Sequence, residues 1–156
     1  MEARLDYYAN PVGAKFQKYL HSAAKAVEGV DLPEGIPNLV LIRASQINGC
    51  GVCLDMHTKD AAHAGETPVR LAMVAAWRDA TVFTEAERAA LALAEAGTRL
   101  ADGDGVSDDV WDVARKHFDD DQLVALVSII AVINAYNRLN AISRIPAGNY
   151  QPGQWG

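Results

Sequence analysis

The stretch Leu123–Ile133, Leu-Val-Ala-Leu-Val-Ser-Ile-Ile-Ala-Val-Ile, limits what this chain can become more than any other. It is apolar on nearly every side, and only Ser128 interrupts it. A surface helix would show a polar face, so this one belongs at the centre of other elements or at an interface between chains. Asn134, Asn137, Arg138 and Asn140 follow it, and the run falls short of the roughly 20 residues a bilayer span requires. No membrane association is expected. The 156 residues suit one domain with a substantial core. Half of them are apolar while aromatics are few, so alanine and leucine carry that content, which favours helix.

The rest of the chain is punctuated as helix after helix. Asn10-Pro11 is an N-cap followed by proline at the first helical position, and Val12, Phe16, Leu20, Ala23, Ala24 and Val27 then recur at helical spacing up to Gly29. A Pro/Gly-rich connector, residues 32–37, leads into a second helix from about Asn38 to Ile47, closed by Asn48-Gly49. A third is expected from Cys50 to Ala64, and Thr67-Pro68 opens a fourth. Thr84-Glu85-Ala86-Glu87 has the capping-box pattern for a fifth, running to about Leu100. Ser107 caps a sixth through Phe118, and acids at Asp120 and Asp121 begin the last, which runs to about Arg144 before Pro146. No window alternates as a strand. The fold expected is all-α, with about seven helices in a single domain over residues 1–144. A non-helical tail follows over residues 145–156, either loose or pinned by Tyr150 and Trp155.

A net charge of −6 with no run of Lys and Arg argues against a nucleic-acid surface. The charged N-terminus, Met1 to Asp6, has no apolar segment of the secretory kind, so a soluble cytoplasmic protein is expected. In a reducing compartment a close cysteine pair is redox-active or metal-bound more often than it is a structural staple.

Such a pair exists. Cys50 and Cys53 are the only two cysteines, spaced C-x-x-C, with His57 four residues after the second. On a helix turning roughly 100° per residue the three fall within about 60° of one another. A thiol, a partner thiol and a titratable base thus meet on one face, the minimum apparatus for thiol–disulfide chemistry. Cys50, directly after Asn48-Gly49, lies at the start of its helix, where unpaired N–H groups favour a thiolate. Cys53, beside His57, is the better candidate for activated nucleophile, and Cys50, nearer the opening, is the better resolving thiol. Two competing readings are weighed. The cysteines could merely pack, with His57 as a helix histidine. Alternatively a metal could bind, but C-x-x-C-x3-H supplies three ligands where structural zinc takes four, and His63 lies on the wrong face. A fourth ligand would have to come from far off, such as His21 or His117. No cofactor and no metal are expected. Trp77 and Trp111 read as helix-packing aromatics. Asn134, Asn137, Arg138 and Asn140 read as groups that fasten neighbouring helices or subunits. Asp102-Gly103-Asp104-Gly105 reads as a turn without the spacing of a calcium loop.

The string Ile42-Arg43-Ala44-Ser45-Gln46-Ile47-Asn48-Gly49-Cys50, continued by Cys53-Leu54-Asp55-Met56-His57-Thr58-Lys59-Asp60-Ala61, strongly resembles the core of the alkylhydroperoxidase D-like (AhpD-like) family of the carboxymuconolactone decarboxylase superfamily. Ala75-Ala76-Trp77-Arg78, Thr84 to Ala89 and Ile133 to Leu139 resemble further family segments. The resemblance implies an all-α homo-oligomer, often trimeric or hexameric, that reduces hydroperoxides through its dithiol in antioxidant defence. It implies that Cys53 attacks peroxide, that Cys50 resolves the resulting sulfenic acid as a disulfide, and that His57 relays the proton. A thiol reductant of the dihydrolipoyl or thioredoxin-like kind would restore the dithiol. The chain departs from the family at the start of the relay, where a glutamate is replaced by Asn38. Asparagine holds a proton donor or a water but accepts no proton. Glu34, one turn earlier, is the candidate substitute, although Pro37 stands between them. The peroxidase is therefore expected to be weakened. The alternatives are a dithiol sensor or disulfide oxidoreductase and, with less support, a decarboxylase acting on a lactone, whose chemistry needs no cysteine pair.

Overall fold

Local capping chemistry sets most of the helix ends in the computed structural model, which describes residues 2–154. Those residues form seven α-helices and no strand: α1 (Pro11–Lys25), α2 (Ile36–Asn48), α3 (Gly51–His63), α4 (Pro68–Met73), α5 (Glu85–Thr98), α6 (Asp108–Arg115) and α7 (Asp120–Ser143). Single 3-10 turns follow α4 and α5. The Asn10 side chain accepts from the backbone N–H of Val12 and Gly13, with Pro11 opening α1 as the sequence predicts. Thr84 and Glu87 make a reciprocal capping box on α5, and Asp119 and Gln122 make another on α7. Ser107 caps α6, which stops at Arg115, so Phe118 lies beyond the helix but is buried against the core.

α2 runs through the middle, packed against α5 on one side and α7 on the other. Ile36 and Val40 of α2 meet Ala90 and Leu93 of α5 and Leu126 and Ile130 of α7. A second cluster joins Leu39 and Ile42 to Trp77, Phe83 and Leu91. A third is built around Ala44, Cys50, Val52, Cys53 and Ile133. Alanines 89, 90 and 94 keep α5 thin enough for close approach. Full burial of a side chain such as Leu126 contributes roughly 1.5–3 kcal/mol.

α7 is 24 residues long, and by length and composition alone it could cross a bilayer. Here it packs against α1, α2, α3, α5 and α6. Its asparagines fasten neighbours, as read from the sequence, whereas the exposed Arg138 bonds back to Asn134 within the helix. Asn48 Nδ2 donates to Asn134 Oδ1 (3.0 Å) and Asn137 Oδ1 (2.9 Å), Asn137 Nδ2 donates to Ser45 Oγ (3.1 Å), and Asn134 Nδ2 donates to Thr98 Oγ1 (3.0 Å). Buried amides satisfied in this way fix the register of α7 on α2, because a slip would leave them unpaired.

α1 departs from the sequence reading. Of the apolar positions read from the sequence, Val12 and Phe16 are 78 and 51% exposed while Leu20, Ala24 and Val27 are half-buried, and Gly13 is the only residue of the helix that is buried. Periodicity identifies an apolar stripe but not the surface that covers it. Gly13 is buried because the backbone carbonyl of Tyr7 passes where a Cβ would stand. That close approach folds the N-terminal segment back along α1 and brings Tyr8 towards α7.

Residues 145–154 of the tail form no α-helix and are tied to α3. Asp55 accepts from the backbone N–H of Gly148 (2.7 Å) and Tyr150 (3.2 Å), and Lys59 donates to the carbonyls of the same two residues (3.2 and 2.9 Å). Tyr150, itself buried, donates its hydroxyl to Asp60 (2.9 Å). Trp155 lies outside the described residues.

Candidate active site

Gly49, at φ 65°, closes α2 in the left-handed region that glycine adopts without strain, and the chain turns at once into α3. Cys50 is the N-cap of α3. Its backbone is extended, its N–H donates to the Ser45 carbonyl (3.0 Å), and its Sγ accepts from the Cys53 N–H (3.4 Å). Cys50 and Cys53 are joined as a disulfide across 5.4 Å between Cα atoms, one helical turn apart. The pair is 1 and 3% exposed.

A cavity of about 770 Å³ opens beside the disulfide, between α1, α3 and α7. Cys53 lines it and Cys50 does not. This corrects the expectation that Cys50 is nearer the opening, because an N-cap at the joint of two helices is walled in by both. Val52, Met56 and His57 of α3 share the wall with Ile133, Tyr136 and Asn140 of α7.

His57 follows Cys53 by one turn on the same face. Burial pulls its pKa down from 6.5 to about 4, against a smaller upward pull from the Asp60 carboxylate. The ring is therefore neutral at pH 7, a base rather than a standing cation. Its Nε2 is buried without a hydrogen-bond partner among the described residues.

Asn140 is the residue that the sequence reading undervalued. It fastens helices like its neighbours, but its Nδ2 donates to Cys53 Sγ at 3.4 Å. The Tyr8 hydroxyl donates to Asn140 Oδ1 at 2.6 Å, which orients the amide with its N–H groups towards the sulfur. Burial, with help from Tyr136, raises the Tyr8 pKa above its ordinary 10, so the phenol remains a donor at neutral pH. No sequence signal marks this chain, because Tyr8 and Asn140 stand at opposite ends of the protein.

Neither relay candidate is among the residues that line the cavity beside His57. Asn38 sits in the first turn of α2, one turn before the cavity-lining Leu41, and does not itself line the cavity. Glu34 is exposed and precedes Gly35, the N-cap, whose φ of 83° turns the chain away from the helix axis. Glu34 thus lies outside α2, whose first residue is Ile36. The carboxylate that His57 feels is Asp60, two turns beyond Cys53 on the same face. His63 and His117 are exposed, while His21 of α1 lines the cavity.

Comparison with known proteins finds relatives of this sequence and of this fold. Residues 13–96 match the carboxymuconolactone decarboxylase family. The uncharacterized protein YdfG of Bacillus subtilis (strain 168) is 36% identical over 140 residues, which cover 90% of this chain and 93% of that protein. A crystal structure of a protein of unknown function from Agrobacterium tumefaciens, proposed for antioxidant defence as AhpD, superposes with a TM-score of 0.87 at 31% identity, covering 96% of this chain and all of the other. An alkylhydroperoxidase AhpD core from Ralstonia eutropha JMP134, an uncharacterized peroxidase-related protein, shares the fold at a TM-score of 0.75 and 18% identity, covering 87% of this chain and 72% of that one.

Proposed function

This chain belongs to the carboxymuconolactone decarboxylase family as an AhpD-like member, and from that premise we propose that it is a thiol-dependent peroxidase reducing organic hydroperoxides. One observation carries the reading: of the two sulfurs in the pair, Cys53 faces a large cavity, flanked by a neutral buried imidazole and an oriented amide donor.

The proposed cycle begins with the reduced pair. Cys53 Sγ attacks the distal oxygen of the hydroperoxide, the O–O bond breaks, and the sulfur is oxidised to a sulfenic acid. His57 takes the thiol proton and returns it to the departing alkoxide, which leaves as an alcohol. The Asn140 N–H steadies negative charge on sulfur as it develops. Cys50 then attacks the sulfenic sulfur, giving the disulfide and one water. An external dithiol, of the dihydrolipoyl or thioredoxin-like kind, enters by the cavity and attacks Cys53. Cys50 is expelled as a thiolate onto the N-terminus of α3, where its sulfur already accepts the Cys53 N–H. The second reductant thiol closes its own disulfide and frees Cys53.

The test is direct. Reduced protein mixed with cumene hydroperoxide should lose both free thiols and two mass units, with one alcohol formed per disulfide. Recovery of intact thiols would end the peroxidase reading. The placement of Asn38 and Glu34 away from the cavity supports a second one, a dithiol sensor or disulfide exchanger. It is favoured if oxidised thiol reagents form the disulfide while hydroperoxides do not.

The same reading takes the protein as a homo-oligomer. The exposed Val12, Phe16 and Tyr19 of α1, with Val124 and Val127 of α7, are the apolar surface that a second copy would cover. A mass of about 17 kDa by light scattering at micromolar concentration would contradict this.

A further inference from the structure

α1 is inside out for a helix that closes a cavity. Its apolar residues Val12, Phe16 and Tyr19 are exposed, and Ala14, Gln17, Lys18 and His21, also exposed, form the rim of the cavity with the half-buried Ala24. Opposite them the walls are mostly apolar: Leu41, Val52, Met56, Val132, Ile133 and Ile145. One side of the space is thus greasy and the other carries a lysine. No aspartate or glutamate lines it. Among the described residues the Lys18 ammonium makes no ion pair and no hydrogen bond. The two phenols in the wall, Tyr8 and Tyr136, are held above their ordinary pKa by burial and carry no charge at neutral pH.

Size adds a second constraint. A water molecule occupies about 30 Å³ of liquid, and hydrogen peroxide is little larger. A space of about 770 Å³ is far too roomy to select such a molecule, but it lies within the range of about 300–1,000 Å³ that holds organic ligands.

We propose that this cavity binds an organic molecule with an apolar body and an anionic head such as a carboxylate, the body against Val52, Met56 and Ile133 and the head at Lys18. It rests on the peroxidase reading only in taking the bound molecule to carry the hydroperoxide that Cys53 reduces. The substrate class would then be acidic alkyl hydroperoxides, in preference to hydrogen peroxide or neutral ones.

Binding can be measured apart from the redox step. Calorimetry on the full-length disulfide form would compare octanoate, 1-octanol and octylammonium, three probes with one tail and different heads. Octanoate should bind about tenfold tighter than 1-octanol, and octylammonium weakest. Raising the salt concentration should narrow the gap, since a pair at a cavity rim is screened. Lys18→Glu should reverse the order, and its gain of octylammonium binding shows that the variant is folded. Equal binding of octanoate and 1-octanol, or an unchanged order in Lys18→Glu, would overturn the proposal. Hydroperoxide consumption by the reduced protein is scored separately. If the order holds and no hydroperoxide is consumed, the ligand class stands and the peroxidase reading falls. If hydroperoxides are consumed and the order is absent, the ligand class falls and the peroxidase reading stands.

Discussion

Two faces of α3 have divided the work between them. Cys53, Met56 and His57 look into the cavity, where the Cys53 sulfur accepts a long bond from Asn140 at 3.4 Å. Asp55 and Lys59, about half a turn round, are bonded to each other (2.6 Å) and to the backbone of the tail. One face is left reactive and the other is used up in holding the helix still. A site needs both, because a dithiol on a mobile helix would lose the alignment with Asn140. Asp60 is where the two meet: it lies on the reactive face, raises the His57 pKa, and is gripped by Tyr150 from the tail.

The division is broken if substitutions on the reactive face change stability and not rate, or the reverse on the other. The largest effect belongs to Cys53→Ser, which should abolish peroxide consumption entirely. Cys50→Ser should still be oxidised once and stall as a sulfenic acid trapped by dimedone. An adduct on Cys50 in the first variant and none on Cys53 in the second would reverse the roles. Next comes Asn140→Leu. A hydrogen bond to a charged group is worth about 1.5–3 kcal/mol, so thiol oxidation should slow about 10- to 100-fold. The alkylation pH profile of Cys53 should also move upward, which a merely structural role for Asn140 would not produce.

Third is acid. With a pKa of about 4 in the folded protein and 6.5 ordinarily, His57 takes its proton more readily when unfolded. Stability should therefore be unaffected by His57 above pH 6.5 and fall between 6.5 and about 4, by about 2–3 kcal/mol at the lower end. Denaturation curves for wild type and His57→Gln at pH 7.5 and 4.5 check this, since the variant should lack that part of the loss. Smallest is Tyr150→Phe, which should cost about 1 kcal/mol of stability and leave thiol oxidation unchanged. A change in rate would show that the faces are coupled through Asp60.

Most of the helix ends were legible because short-range chemistry decides them. Asn10-Pro11, Thr84 with Glu87, and Ser107 each satisfy their own first turn with no help from the rest of the chain. The C-x-x-C–His57 face was legible for the same reason, since one helix supplies all three groups. What could not be read was anything set by distant packing. The outward turn of Phe16 goes with the Tyr7 carbonyl packed against Gly13. The Tyr8–Asn140 bond spans 132 residues, and Glu34 is left outside α2 by the left-handed turn at Gly35.

The sulfur of Cys50 caps α3, and this ties the state of the dithiol to the backbone. A thiolate is a stronger acceptor than a disulfide sulfur, so reduction should tighten the first turn of the helix and oxidation should loosen it. The Cys53 amide would then exchange its hydrogen for deuterium more slowly in the reduced protein than in the oxidised one. The helix itself becomes a gauge of its own oxidation, readable at one peptide bond without touching either sulfur.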